Sequence, residues 1–321
     1  MLNVLVTGIG AIIGYGIIKS LRNTDLNVNI VGMDIYHDAV GQHWCDSFVQ
    51  AKYASDPDYL NFLKRVIDNN NIDIVFFGTE QEIYRCSEGR EELGLYYEKL
   101  VLNRRELLVL SKDKWKTREA LVKNGLQKYA IPSVITGEYN EIEQLWGHKF
   151  LLKPRVSYAS KGIHIVDCKK DFDFYKERMG REFMAQRLVG DNEHEYTVGV
   201  FALGDGAYSD MIQMKRKLSQ EGATAKAEIV KYEALEEVVG ELCKLFKPIG
   251  PTNFQFRSEA GRFYLLEVNP RISSSTSIRM KFGFNEAEKC INYFLYNKIT
   301  ASCIKTGYAA RYIDEVVVFN G

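Results

Sequence analysis

The first hundred residues alternate between short apolar runs and amphipathic stretches. Apolar runs at 2–6, 28–32 and 72–77 predict β-strands. A glycine-rich turn after the first run leads into a predicted helix over 15–22, and hydrophobic spacing predicts a second helix over 59–69. Because strands and helices alternate, this part of the chain is predicted to form βαβ units around a parallel, Rossmann-like sheet.

A different pattern begins after a short predicted strand at 100–103. Two helices are predicted over 106–125, and an amphipathic core helix over 235–247. The strands predicted in this part cover 150–153, 163–166, 183–188, 195–201 and 311–319. The fold class is therefore predicted to be α/β, with an α+β C-terminal part.

The stretch GPTNFQFRSEAGRFYLLEVNPR is the most informative in the chain. Two β-rich runs flank residues 259–261, a length typical of a three-residue hairpin loop. The resulting register sets Gln255 opposite Leu265 and makes Glu267 its diagonal neighbour, roughly 7–8 Å away. Alternation along the strands places Gln255, Glu267 and Asn269 on one face. The opposite face is predicted to be core and carries Phe254, Phe256, Tyr264, Leu266 and Val268.

The polar face of this hairpin has the chemistry of a metal site. A carboxylate and two amide oxygens are hard ligands of the kind that Mg²⁺ takes, together with water and phosphate oxygens. Arg271 follows directly, and its guanidinium suits phosphate or carboxylate. The simpler alternative is a hairpin whose outer face is merely polar.

The order of these residues resembles the metal-binding hairpin of the ATP-grasp ligases, especially of the carbamoyl-phosphate synthase large-subunit branch. The resemblance implies that Gln255, Glu267 and Asn269 bind two Mg²⁺ (or Mn²⁺) ions on ATP. It implies a catalytic role for Arg271, which would contact the transferred phosphoryl group.

The same resemblance implies a domain organisation. A Rossmann-like pre-ATP-grasp domain over 1–105 would precede a two-lobed ATP-grasp domain over 106–321. The small, ATP-binding lobe would cover about 120–190 and the large lobe about 191–321.

Further positions resemble ATP-binding elements of that family. Lys114, which follows Asp113, resembles the lysine that reaches the α-phosphate. Lys153, before Pro154, resembles the second ATP lysine and is assigned a catalytic role as well. The loop that follows resembles the family's mobile flap over the phosphates. The remaining positions that the resemblance implies are Ser160 and Gly162 in the flap, Gln186 and Leu188 at the adenine, and Glu195 at the ribose.

A basic run at 215–217 has two interpretations. Its first residue, Lys215, could contact phosphates, since the run falls near the expected phosphate site. The run could equally be a solvated edge.

The carboxyl ends of the N-terminal strands predict a substrate cleft, since ligands of open α/β sheets bind there. Thr79 and Glu80 follow the run at 72–77, and Gly10 lies in the first turn, so all three are candidate substrate contacts. Arg279, beyond the hairpin, is a fourth candidate. Two alternatives stay open, because Thr79 could cap a helix and the glycines could simply allow close packing.

The first turn also permits a rival function. Glycines before a helix, with Asp34 after the second strand, are typical of a dinucleotide site. An NAD(P)-dependent reductase or epimerase-like enzyme would need a Tyr-x-x-x-Lys pattern on a later helix. The one such pattern here, Tyr15 with Lys19, lies in the first helix, which disfavours this rival.

Composition excludes several classes of partner. The 321 residues contain 42 Lys and Arg against 42 Asp and Glu, a balance that gives no support for nucleic acid or an anionic membrane as a partner. Six scattered cysteines without a C-x-x-C pair fit a reducing compartment. No apolar run approaches the roughly 18 residues of a membrane span. We therefore expect a cytoplasmic protein, and exposed sheet edges are compatible with a homodimer.

These observations converge on an ATP- and Mg²⁺-dependent ligase. It would join a small-molecule carboxylate to an amine or ammonia through an acylphosphate intermediate. The alternative from another class is an ATP-binding regulatory protein without turnover. The sequence does not identify the acid or the amine.

Overall fold

The computed structural model describes residues 1–156, 162–220 and 222–318. Within them, the strands form three sheets, one parallel and two antiparallel. The predicted mixture of an α/β first part and an α+β remainder is confirmed. Short 3-10 helices cover Val40–Trp44, Gly94–Lys99, Gln127–Tyr129 and Gly180–Glu182.

The first sheet is four-stranded and wholly parallel, in the order β3-β2-β1-β4. Its elements and the helices that follow are β1 (Leu2–Thr7), α1 (Ile12–Leu21), β2 (Val28–Asp34), β3 (Ser47–Gln50), α2 (Tyr59–Asn69), β4 (Ile74–Phe76), α3 (Glu80–Glu88), α4 (Arg90–Leu93), α5 (Arg105–Lys112) and α6 (Lys114–Lys123). The strand predicted at 100–103 is reduced to a single parallel bridge between Val75 and Leu100.

The glycine-rich first turn is shaped by close backbone contacts. A Cβ atom on Gly14 would lie 2.1 Å from the carbonyl oxygen of Gly8, and one on Gly78 would lie 2.2 Å from that of Thr7. No real Cβ tolerates such distances. The glycines therefore let α1 and the loop after β4 pack against the end of β1, which is the packing alternative that the sequence left open.

The second sheet is small and antiparallel, in the order β5-β8-β6-β7. Its elements are β5 (Ser133–Val134), α7 (Tyr139–Trp146), β6 (Phe150–Pro154), β7 (His164–Val166), α8 (Lys169–Met179) and β8 (Phe183–Gln186). An aromatic core that includes Tyr139, Phe150, Phe172 and Phe183 holds both helices on one face of this sheet.

The third sheet has six strands in the order β13-β12-β9-β10-β11-β14. Its elements are β9 (Glu195–Leu203), β10 (Tyr208–Leu218), β11 (Thr224–Val230), α9 (Glu233–Phe246), β12 (Ile249–Glu259), β13 (Arg262–Asn269), α10 (Thr276–Lys281), α11 (Glu286–Tyr296) and β14 (Tyr308–Ala310). Helix α9 packs on one face through Leu235, Val239 and Leu242. Helices α10 and α11 pack on the other face, in a core that continues into the first sheet.

The hairpin of β12 and β13 differs from its predicted register. Glu259 pairs with Arg262, so the loop has two residues, Ala260 at φ +49° and Gly261 at φ +77°. Positive φ at both positions is the geometry of a type I′ turn. A bulge then shifts the register between Gln255 and Phe256.

The bulge changes which residues share a face. Gln255 lies directly opposite Glu267, not diagonal to it, and Asn253 lies opposite Asn269. Ladder partners share a face, so the predicted grouping of Gln255, Glu267 and Asn269 is confirmed. The predicted core face was partly wrong. Leu265 joins Phe254, Phe256 and Val268 in the core under α9, whereas Tyr264 and Leu266 lie in a separate cluster with Ile131 and Val189.

The C-terminal end also differs from prediction. The strand expected at 311–319 is not formed by residues 311–318, and Phe319 lies outside the described residues. The edge strand is β14, three residues earlier. Among the described residues, we find no helix with the length and apolarity that crossing a membrane requires.

Candidate nucleotide and metal site

Lys114 is positioned by the aspartate before it. The Asp113 side chain caps α6 by accepting hydrogen bonds from the N–H groups of Trp115 and Lys116. It also forms an ion pair with Arg155 at 2.5 Å, and the Lys114 N–H donates to the Arg155 carbonyl. Burial alone would raise the pKa of Asp113, but the Arg155 guanidinium and the two amide donors lower it. The Asp-Lys pair thus joins α6 to the end of β6.

Lys153 lies on β6, and its side chain is buried. Its amine donates to the Gln186 side-chain oxygen at 2.8 Å, and the Gln186 amide donates in turn to the Ser133 hydroxyl at 2.9 Å. Burial, reinforced by the nearby charge of Lys114, lowers the pKa of Lys153 to about 7, although Glu267 opposes the shift. An amine with this pKa changes charge near neutral pH.

The two lysines face one carboxylate. Burial lowers the pKa of Lys114, and the charges of Glu267 and Glu80 partly restore it. Lys114, Lys153 and Glu267 line the same cleft between the second and third sheets, together with Gln186. The sequence-predicted residues Lys114, Lys153, Gln186 and Glu267 are therefore brought together.

The polar face of the hairpin presents three oxygen-bearing side chains. The Gln255 oxygen accepts from Arg216 at 2.8 Å, and the Asn269 oxygen accepts from Arg271 at 3.0 Å. Glu267 has no hydrogen-bond or ion-pair partner among the described residues, and it lies between the two amides along the sheet face. A partly buried carboxylate without a bound donor, flanked by amide oxygens, has the chemistry of a divalent-cation ligand.

Glu195 is placed differently from its predicted ribose role. One carboxylate oxygen accepts from Arg216 at 2.9 and 3.1 Å, and the other accepts from Arg257 at 3.2 and 3.3 Å. Both oxygens are therefore engaged. Glu195 acts as the shared counter-ion of two guanidinium groups, which corrects its assignment as a ribose acceptor.

Lys215 lies on the wrong face of the sheet for its predicted phosphate contact. It pairs with Tyr196, whose ring belongs to the core under α9. Strand alternation turns the next residue, Arg216, to the face of Gln255. The basic run therefore does supply a cation to the cleft, but from one position later.

Arg271 joins the hairpin to the first sheet. Its Nε and Nη2 atoms donate to one Glu80 carboxylate oxygen at 2.9 and 2.5 Å, and its Nη1 atom donates to the Ile272 carbonyl. Glu80 begins α3, so the ion pair crosses between the N-terminal part and the third sheet. A second cleft runs beside this pair and is lined by Glu80, Tyr84, Lys112, Lys114, Glu267, Asn269 and Arg271.

Two other N-terminal candidates have structural partners. The Thr79 hydroxyl donates to the buried Glu82 carboxylate at 2.7 Å and accepts no helix N–H, so Thr79 makes no side-chain cap. The Gly10 N–H donates to Asp34 at 2.8 Å, and Tyr36 donates its N–H to the same carboxylate at 3.0 Å. Since the Asp34 carboxylate holds the turn, the dinucleotide rival loses its ribose acceptor.

Arg279 cannot contact a substrate, because its side chain is completely buried. It forms an ion pair with Glu286 at 2.8 Å and donates to Thr197 and Asn253 beneath the site. Burial lowers the pKa of Arg279, and the charge of Glu286 opposes that shift. The candidate is thus a structural cation that fixes Asn253 next to the hairpin face.

Known proteins resemble this chain in sequence pattern or in fold. A family model described as "ATP-grasp in the biosynthetic pathway with Ter operon" matches residues 183–316. The ADP complex of purK, N5-carboxyaminoimidazole ribonucleotide synthetase, aligns at 16% identity with a TM-score of 0.73, covering 95% of this chain and 80% of that one. The chain has the ATP-grasp fold.

Two further solved structures share this ATP-grasp fold. Biotin carboxylase from Campylobacter jejuni, in a β-γ-ATP complex, aligns at 15% identity with a TM-score of 0.74, covering 95% of this chain and 74% of that one. An L-amino acid ligase from Bacillus licheniformis aligns at 15% identity with a TM-score of 0.68, covering 92% and 74%. A search of curated proteins gives no significant match.

The linker after β8 contains a residue, Leu188, whose backbone groups are available to a ligand. Within the described residues, no backbone hydrogen bond engages the N–H or C=O of Leu188. Ile131 and Leu266 supply apolar walls to the adjoining cleft. Of the flap, Gly162 adopts φ +74° against Pro154, while Ser160 lies outside the described residues.

Two arginines were missed by reasoning from the sequence alone. Arg216 and Arg257 both reach the cleft side of the third sheet, and the charge of Arg257 helps to lower the pKa of Lys153. Arg216 could have been found from strand alternation. It lies two residues after Met214 on β10, and so shares a face with Met214, which packs in the core next to the first sheet. For Arg257 the signal was its spacing of two from Gln255.

Proposed function

We propose that this ATP-grasp protein is an ATP- and Mg²⁺-dependent ligase that joins a small-molecule carboxylate to an amine or ammonia. The observation that carries the proposal is the placement of the amines of Lys114 and Lys153 around Glu267 in one cleft. A buried and a half-buried lysine, next to a carboxylate without a partner among the described residues, suit a polyphosphate that arrives with a divalent cation. A merely polar hairpin face would need neither lysine.

The donor set fits the implied metal. Glu267 offers a carboxylate without a hydrogen-bond partner among the described residues, and the Gln255 and Asn269 oxygens lie on the same sheet face. All three are oxygen ligands, as Mg²⁺ prefers. When bound, the ion would supply charge neutralisation between phosphate oxygens.

Each cleft residue has a role in binding the nucleotide. The backbone at Leu188 would read the adenine edge, with Ile131 and Leu266 against the ring. Lys114 and the protonated form of Lys153 would hold phosphate oxygens by charge. Gln186 would keep the Lys153 amine in place through its hydrogen bond of 2.8 Å.

The chemistry would proceed in two transfers. A substrate carboxylate oxygen attacks the γ-phosphorus while the bond to the β-phosphate oxygen breaks, which gives an acylphosphate and ADP. The amine nitrogen then attacks the acyl carbon, inorganic phosphate leaves and the amine loses a proton. Arg271, once released from Glu80, would hold the transferred phosphoryl group in both steps.

Catalysis in this scheme consists of positioning and charge stabilisation. No side chain forms a covalent bond with substrate, so the lysines and Arg271 act by favouring the charge that spreads over the phosphoryl oxygens. The identity of the acid and amine, the carbamoyl-phosphate synthase-like branch, the domain boundaries, a homodimer and a cytoplasmic location all stay predictions.

The proposal is tested by ADP release across a panel of amino acids, small carboxylates and sugar acids with ammonia or amino acids as acceptors. Substitution Glu267→Gln should lower substrate-dependent ADP release by at least about 100-fold, because the metal loses its charged ligand. The matched control is Lys215→Met, which removes a charge from the opposite face of the sheet.

Turnover of Glu267→Gln at the wild-type rate would contradict the role given to Glu267 at the metal. Tight ATP binding with no ADP formed by the wild type across the panel would contradict the ligase itself and would indicate a nucleotide-binding protein without turnover. Thermal shifts test the rival dinucleotide-binding function. ATP–Mg²⁺ should raise the unfolding temperature and NADH should not.

A further inference from the structure

Arg216 occupies the space beside Gln255 on the metal-binding face. Its Nη2 atom lies 2.8 Å from the Gln255 oxygen, and its side chain is only 4% exposed. The guanidinium is planar and permanently charged, so it brings a fixed positive charge to one end of the oxygen set.

The position of the Arg216 guanidinium is fixed by the carboxylate of Glu195. Glu195 accepts from Arg216 through two nitrogens, and the second oxygen of Glu195 is held by Arg257, which also donates to Asn192 at 2.9 Å. Withdrawal of Arg216 would leave the carboxylate of Glu195, whose side chain is 6% exposed, without half of its charge partners. Breaking a buried pair in this way is strongly unfavourable.

The other amide of the face is bound in the same manner. The Asn269 oxygen accepts from Arg271 at 3.0 Å, so each amide oxygen already has one guanidinium donor. Glu267 alone has no hydrogen-bond or ion-pair partner in the described part of the chain. A cation bound at Gln255 would share one oxygen with Arg216, and two positive groups on one oxygen repel each other.

We propose that a single divalent cation, anchored on Glu267, serves this site, and that the Arg216 guanidinium takes the place beside Gln255 that a second cation would occupy. The proposal rests on the proposed function, because it concerns the cation that accompanies ATP. It replaces the two-ion arrangement that the sequence resemblance implies.

Mn²⁺ binding to the full-length chain tests the stoichiometry directly. The free Mn²⁺ signal is titrated by electron paramagnetic resonance in the presence of saturating non-hydrolysable ATP analogue, and nucleotide occupancy is measured separately by equilibrium dialysis. A control with nucleotide but no protein gives the Mn²⁺ that free nucleotide binds. After this amount is subtracted, wild type should bind one Mn²⁺ per protein-bound nucleotide. Glu267→Gln should weaken that Mn²⁺ by at least about 100-fold.

The role of Arg216 is tested by its removal. Arg216→Met should release the Gln255 oxygen and one positive charge, and a second Mn²⁺ should then bind. The control is Lys215→Met, which also removes one positive charge but from the opposite face of the sheet. This variant should still bind a single Mn²⁺.

Two Mn²⁺ ions per nucleotide in wild type would overturn the proposal while the ligase function stands. A stoichiometry of one that persists in folded Arg216→Met would overturn the role given to Arg216. If that variant does not fold, the wild-type stoichiometry still decides the number of ions. Absence of nucleotide binding in wild type would overturn both this inference and the proposed function.

Discussion

The enclosed amine of Lys153 predicts that nucleotide affinity falls as pH rises through neutrality. Its pKa is lowered to about 7 in the free protein, chiefly by burial and then by Lys114. A bound polyphosphate favours the charged amine, so its pKa rises on binding. Below pH 7 the amine is already protonated, whereas above pH 7 binding must take up a proton.

The size of the effect follows from the protonated fraction. With a pKa of about 7, half of the amines are charged at pH 7 and about 1% at pH 9, so Kd should increase about 50-fold over that window. This corresponds to about 2.3 kcal/mol. Lys114, whose pKa is also lowered by burial, would add to the change in the same direction.

The same titration has the opposite effect on the stability of the free protein. An unfolded lysine titrates near pH 10.4, so between pH 7 and that value the unfolded chain binds more protons than the folded one. The free energy of unfolding should therefore rise with pH, by about 2 kcal/mol between pH 7 and 9, relative to Lys153→Met. One group thus weakens nucleotide binding and strengthens the fold over the same window.

Isothermal titration calorimetry with a non-hydrolysable ATP analogue and Mg²⁺ measures Kd at each pH. Buffers of different ionisation enthalpy give the number of protons taken up, which should approach one above pH 8. In Lys153→Met the affinity should be low and its pH dependence small. Lys153→Arg keeps its charge over the whole window, so it should also lose the pH dependence. A wild-type Kd that is constant from pH 7 to 9, without proton uptake, would refute the reasoning.

Three other perturbations have defined outcomes. Glu80→Gln should tighten binding of the ATP analogue about 5-fold, because the partly buried pair with Arg271 no longer competes for the guanidinium, and calorimetry that finds no change would contradict this competition. Ala260→Gly should raise the free energy of unfolding by about 1 kcal/mol in urea titrations, since residue 260 adopts φ +49°, and a loss of stability would be inconsistent with the type I′ turn. Arg279→Met should lower the free energy of unfolding by about 3–5 kcal/mol, because Glu286 is left buried without its charge partner. A change below about 1 kcal/mol would show that the ion pair is not required for stability.

The sequence predicted the shared face of the hairpin but not its register. Alternation is robust, so Gln255, Glu267 and Asn269 came together as expected. The two-residue turn was not predictable, because alanine rarely adopts positive φ. The bulge was not predictable either, because the hydrophobic pattern of the two strands does not indicate an extra residue. Tertiary pairing along the whole hairpin outweighs the local cost at Ala260.

Charged residues were predictable by position but not by partner. Lys114 and Lys153 line one cleft, as the resemblance implied. The helix that carries Lys114 and the strand that carries Lys153 could both be predicted from the local sequence. Glu195 and Arg279 were misassigned because their partners come from neighbouring strands or helices. A single sequence does not state which buried cation a buried carboxylate will meet.

The ion pair of Glu80 and Arg271 has a consequence for the life of the polypeptide. The two residues are 191 positions apart, so a ribosome completes the N-terminal sheet long before the arginine is made. An interrupted translation product would lack both the arginine and the metal-binding hairpin, and the core that the first sheet shares with α10 and α11 would be incomplete. The proposed site is therefore complete only when the last third of the chain has docked on the N-terminal part.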